Sequence, residues 1–130
     1  MRSFTLTVQP GLLAICRLPA DAAVPAETAS SPLWSVIRTP DELSIVCGAD
    51  DVPPGAITDG GWRALTLAGP FDLTTEVGVL VRVLQPLADA GVGIFALSTY
   101  DTDHVLVKDT NLTATVTALR GAGHTVAGAD

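Results

Sequence analysis

WRALTLAGPFDLTTEVGVLVRVLQPLADAGVGIFALSTYDTDHVLV, residues 62–107, decides the fold of this chain. Residues 62–69 alternate as a strand does, and Gly69-Pro70 ends the run. Between Thr75 and Ala90 the apolar set Val77, Leu80, Val81, Leu84, Leu87 and Ala88 recurs at three- and four-residue steps. That spacing predicts an amphipathic helix, stopped by Gly91. VGIFALS (92–98) is apolar on both faces, which predicts a central strand. Residues 99–102 turn the chain into DHVLVK (103–108). Leu112, Val116 and Leu119 then mark a second helix closed near Gly121 or Gly123, and HTVAGA (124–129) supplies a last short strand. Strand, helix, strand, strand, helix, strand is the order of a ferredoxin-like module: an antiparallel sheet with both helices on one face.

The preceding residues repeat this plan in reduced form. Phe4, Leu6 and Val8 alternate with Thr5, Thr7 and Gln9, and Pro10-Gly11 separates this strand from a second over 12–18. Pro19, Pro25 and Pro32 leave room for at most a short helix between Ala20 and Ala29. LWSVIR (33–38) and LSIVCG (43–48) flank Thr39-Pro40-Asp41-Glu42, which suits a type I turn between hairpin strands. Asp50 to Gly61 holds Pro53, Pro54, Gly55, Gly60 and Gly61 and reads as a linker. The expectation is an α+β protein of two ferredoxin-like (βαββαβ) modules, a degenerate one over 1–60 and a complete one over 61–130.

Composition narrows the function. With 48% apolar and 16% charged residues the 130-residue chain is globular rather than disordered. Folding at this size buries roughly two-thirds of the unfolded chain's surface. Net charge is −7, and Arg2, Arg17, Arg38, Arg63, Arg82, Lys108 and Arg120 are scattered singly. Without a cationic cluster neither nucleic acid nor an anionic membrane is expected as a partner. Gln9, Pro10 and Arg17 interrupt the only stretch resembling a signal peptide, and no run approaches a transmembrane length. Cys16 and Cys47 sit in apolar strand-like runs and read as buried thiols; no metal-ligand spacing surrounds them. A cytoplasmic protein without cofactor or metal is expected.

The quoted stretch resembles the second ACT-type module of small bacterial ACT-domain proteins and of the animal cytosolic arginine sensors that regulate a growth-control kinase complex. Glu76-Val77-Gly78 at the helix start, Pro86-Leu87-Ala88 within it, and Ser98-Thr99-Tyr100-Asp101-Thr102-Asp103 before Val105-Leu106-Val107 carry the likeness. It extends over 62–120 and is weaker over the first half, where LWSVIRTPDELSIVCGADDVP resembles the hairpin of a preceding module. In the sensors, ligand sits where two such modules meet. The resemblance thus implies a ligand site at Thr99, Tyr100 and Asp103 with Glu76, beside a loop that includes Leu73, and with Gly93 and Ile94 on the facing module's edge. Residues 70–73 differ from those of the sensors, and a complete interface of this kind requires a second copy of the chain.

The residue chemistry agrees in kind. A carboxylate fixed at a turn, Asp103, can accept charge-assisted hydrogen bonds from an ammonium group, although Asp also serves turns by itself. Glu76 in a first helical turn can act on the helix dipole alone, while N–H groups around Leu73 to Thr75 can receive a carboxylate. Catalysis is not expected: Ser98 lacks a nucleophile-elbow context, and neither His104 nor His124 has a nucleophile placed beside it by motif. The expected function is regulatory binding of an amino acid or similar small ligand by a homodimer paired through its second module. The competing reading is a ligand-free module that pairs through its sheet.

Overall fold

The computed structural model describes residues 2–129. Ten regular elements follow in order: β1 (Thr5–Val8), β2 (Leu13–Leu18), β3 (Ser35–Arg38), β4 (Leu43–Gly48), β5 (Ile57–Leu67), α1 (Val79–Asp89), β6 (Phe95–Ser98), β7 (Asp103–Lys108), α2 (Leu112–Gly121) and β8 (Thr125–Ala127). Short 3-10 turns occupy Ala26–Ser30, Ala49–Asp51 and Asp109–Asn111. The chain divides into a unit over Gly11–Trp62 and another that joins the residues up to Pro10 with those from Arg63 onward. This differs from the expected division at residues 60 and 61, because β1 belongs to the later unit.

The smaller unit is a sheet in the order β3-β4-β2-β5, the last contributing its first half. The β3–β4 hairpin is antiparallel, with Val36 opposite Ile45, and its turn closes through the Thr39 N–H and the Glu42 carbonyl at 2.9 Å. The Thr39 hydroxyl accepts the N–H groups of Asp41 and Glu42 at 3.2 Å, a side-chain bond that holds the turn. Alternate residues Ala14, Cys16, Ile45 and Cys47 form a buried cluster that contains both cysteines as free thiols. Burial, with Cys16 beside it, pushes the Cys47 thiol up to about 12, so it stays protonated and unreactive at neutral pH.

The linker expected over 50–61 ends early, because residues 57–61 are already strand, the start of β5. From Leu13↔Trp62 to Ile15↔Asp59, β5 advances three residues while β2 advances two. Gly61, at φ +78, provides the extra residue, so the Gly60-Gly61 pair is a β-bulge inside an eleven-residue strand.

In the larger unit the strand order is β6-β7-β5-β1-β8. The N-terminal strand lies between β5 and β8, antiparallel to the first (Leu6↔Leu67) and parallel to the second (Leu6↔Val126). Leu6, Val8, Leu65, Leu67, Val105, Val107 and Val126 share one face of this sheet and join one core with Val79, Val83 and Leu87 of α1 and Val116 and Leu119 of α2. Both helices therefore cover the same face, the ferredoxin-like arrangement with an additional strand. Two expectations need correction here. The buried stripe of α1 is Val79, Val83 and Leu87, whereas Val77 and Val81 are 80% and 58% exposed. VGIFALS is not a central strand either: β6 holds only four of its residues, pairs with β7 and forms the sheet's edge, with Phe95, Ala96 and Leu97 half-buried and Ser98 exposed.

Candidate functional site

The loop from Gly69 to Gly78 and the β6–β7 turn come together where β5 ends. The Phe71 N–H donates to the Asp101 carbonyl at 2.7 Å, and the Thr102 hydroxyl donates to the Leu67 carbonyl at 2.8 Å. A Cβ on Gly69, which precedes a cis Pro70, would lie 2.9 Å from the Asp101 oxygen and 3.2 Å from Thr102 Cβ. Only glycine admits so close an approach of two backbones. The turn itself closes by the Thr99 N–H donating to the Thr102 carbonyl at 2.8 Å, with the Thr99 hydroxyl bridging the same two residues.

Two adjoining clefts open between these loops. The smaller, about 310 Å³, is lined by Phe71, Leu73, Glu76, Gly78, Val79, Ser98 and the carboxylates Asp72, Asp101 and Asp103, among others. The larger, about 770 Å³, shares Phe71, Asp72, Leu73, Glu76 and Asp101 and adds Pro70, Thr74 and Tyr100. Both volumes lie in the range of small-ligand pockets. Asp103 opens β7 opposite Ser98, whose hydroxyl donates to Asp103 Oδ1.

Glu76 is placed differently from the first-turn position predicted for it. Helix α1 starts at Val79, after a tight turn over 72–76. There Asp72 Oδ1 accepts the N–H groups of Thr74 (2.9 Å) and Thr75 (3.1 Å) and the Thr74 hydroxyl (2.8 Å), and Glu76 Oε1 accepts the Asp72 N–H at 3.1 Å. The donors expected to receive a ligand carboxylate around Leu73 to Thr75 are in this way partly filled by Asp72. The other Glu76 oxygen holds the Arg2 guanidinium at 2.7 Å. That guanidinium also lies 5.0 Å from the Phe4 ring centre and 5.6 Å from that of Phe71.

These contacts hold both turn carboxyls below their usual range, Asp72 chiefly through the Thr74 hydroxyl and N–H, Glu76 through the Asp72 N–H and then Arg2. A depressed carboxyl stabilises the fold fully above its unfolded pKa and loses that contribution as pH falls through its folded one. Asp72→Asn keeps a capping oxygen but cannot titrate. The stability gap between wild type and Asp72→Asn is expected to close on acidification below about pH 4, as urea unfolding at a series of pH values will read.

Of the expected residues, the fold brings Leu73, Glu76 and Asp103 to one cleft and Tyr100 to its neighbour. Tyr100 and Leu73 are largely exposed, and Thr99 holds the turn. Gly93 and Ile94 precede β6, at the far end of that strand from Ser98, and line neither cleft. Arg2, Phe71 and Asp72 were not foreseen; the Asp72-x-x-x-Glu76 spacing was the signal for the last.

The histidines have structural partners. His124 Nδ1 accepts the Phe4 N–H at 3.0 Å, so Nε2 carries the proton and donates to the Arg82 carbonyl at 3.1 Å. His104 Nδ1 meets the Thr66 hydroxyl at 2.9 Å, and burial pushes its pKa down. Among the described residues no group of His, Cys, Asp and Glu could hold a metal ion, and no helix is long and apolar enough to cross a membrane.

The model of the ACT domain matches residues 57–121, which takes in β5 to α2 and both clefts. The chain belongs to the ACT domain family. A second family model, of an N-terminal domain, matches residues 11–55, which lie within the smaller unit. A solved protein of Agobacterium tumefaciens is 39% identical, with a TM-score of 0.90 over 97% of this chain and 93% of that one. The regulatory subunit of aspartate kinase from Thermus thermophilus, at 13% identity, shares the fold with a TM-score of 0.59 over 85% of this chain and 91% of its own. The cytosolic arginine sensor for mTORC1 subunit 1 of Bos taurus is 25% identical over 66% of this ACT-domain chain. The chain spans 29% of that subunit's length and 56% of a human relative's.

Proposed function

We propose that this ACT-domain protein is a cytoplasmic regulator that binds an amino acid with a cationic side chain in the paired clefts and pairs with a second copy of itself. The observation that carries the ligand class is the Arg2 contact: a guanidinium already rests on Glu76 against the Phe71 ring. The remaining walls offer Asp101 and Asp103 for an ammonium group. For the ligand carboxylate, α1 begins at Val79 after the N-cap Gly78 (φ +78), with no side-chain cap, and Gly78, Val79 and Leu80 line the smaller cleft. Uncapped N–H groups at a helix start receive a carboxylate readily. The regulatory subunit and arginine sensor among the similar proteins agree with binding rather than turnover. Such binding regulates only if affinity differs between two states of the protein or its assembly.

Titration calorimetry with arginine, leucine and glutamate tests this. Arginine is expected to bind most tightly, Arg2→Ala to bind it more tightly still, and Glu76→Gln to lose affinity for arginine while leucine is little affected. Failure of every amino acid to bind, or equal losses for all three ligands in Glu76→Gln, would overturn the cationic-ligand reading.

A further inference from the structure

A groove of about 770 Å³ runs between α1 and α2 and shares no lining residue with the clefts. Val81 and Pro86 form part of its α1 wall, Ala118 stands on α2, and Ala122 caps the C-terminus of α2. His124 also lines it, but both ring nitrogens are committed within the fold, so it offers a polar ligand little. The groove suits apolar side chains, and Val81 stands 58% exposed along it.

We propose that a second copy of this chain docks here, with α1 packed antiparallel against the partner's α1 and the twofold axis passing between Gln85 and Pro86. The charges are the reason to choose this occupant. Arg82 and Asp89 are exposed, line the groove, and lie seven residues apart, about 10 Å along the helix axis. In an antiparallel pair with that axis, Arg82 faces the partner subunit's Asp89 and Asp89 faces the partner subunit's Arg82. One patch thereby satisfies itself twice, as an isologous interface must. Val81 enters the partner's groove, where Ala118 and Ala122 leave room for its two methyl groups. The β6 edge, the alternative surface for pairing, offers a strand of only four residues.

The proposal rests on the self-pairing part of the functional reading and specifies its surface. The test is a charge-swap series followed by sedimentation equilibrium at several salt concentrations. Arg82→Glu and Asp89→Arg each place like charges across both ends of the pair, and each is expected to weaken the dimer by about tenfold or more. The double variant Arg82→Glu/Asp89→Arg restores opposite charges and is expected to regain most of the lost affinity. Val81→Asp, exposed and so tolerated by the monomer fold, is expected to abolish pairing. A wild-type chain that is monomeric overturns both the self-pairing and this surface. A wild-type dimer indifferent to all four variants overturns the surface alone and returns pairing to the β6 edge.

Discussion

Leu87→Ala is expected to cost about 2–5 kcal/mol of folding stability, whereas Val77→Ala, ten residues earlier in the same apolar series, is expected to change it by less than about 0.5 kcal/mol. Leu87 is 1% exposed and sits in the core where α1 meets the sheet, with Val83 one turn away and Leu119 of α2 in the same cluster. Truncation there removes three carbons and leaves a space that the β-branched neighbours Val83 and Val79 cannot fill by rotation. Val77 precedes α1 and is 80% exposed, so its methyl groups bury little. Urea unfolding of the two variants measures the difference. Comparable losses would place Val77 on the buried stripe and shift the helix by a turn, against the register described above.

That register shows what local pattern can and cannot convey. The period of α1 is legible because three- and four-residue spacing survives any choice of phase. The phase is harder, because Val77, Val79, Val81 and Val83 are identical in hydropathy and only the sheet decides which of them is buried. Gly78 decides where the helix begins. Its positive φ separates the 72–76 turn from α1, and a Cβ there would approach the Arg82 guanidinium to 2.8 Å. A glycine between Val77 and Val79 looks like an ordinary small residue in a helix, so the break was not apparent in composition.

The same limit applies to long-range pairing. Thr5 to Val8 alternates as a strand wherever it is placed, and nothing nearby specifies that it slots between β5 and β8. The Gly60-Gly61 pair has the composition of a linker, and only the register against β2 turns it into a bulge. The turn over 99–102 was legible because turn chemistry is local, whereas its place beside a ligand was implied by the resemblance alone. Arg2 was not legible, because its partner Glu76 lies 74 residues away in sequence. Among the contacts that set the charge of the cleft, the Arg2–Glu76 pair is the one that local pattern does not convey.

Asp103→Asn is expected to leave the fold intact and weaken amino-acid binding by about 1.5–3 kcal/mol, roughly tenfold to more than a hundredfold in Kd. The fold survives because Asp103 is half-buried at the first position of β7, and an amide oxygen can still accept the Ser98 hydroxyl that now donates to Oδ1. The substitution removes the negative charge, and with it the charge-assisted contact to a ligand ammonium. Asp101 does not compensate: it stands exposed in the turn, where solvent weakens its attraction, although its backbone carbonyl is fixed by Phe71. The loss should therefore be similar for arginine, leucine and glutamate, since all three present the same ammonium group, in contrast to the arginine-selective loss expected of Glu76→Gln. Calorimetry on a variant shown by its unfolding curve to be native separates the two roles. Unchanged affinity for every ligand would remove Asp103 from the site, and a loss confined to arginine would make it a reader of the side chain instead of the ammonium.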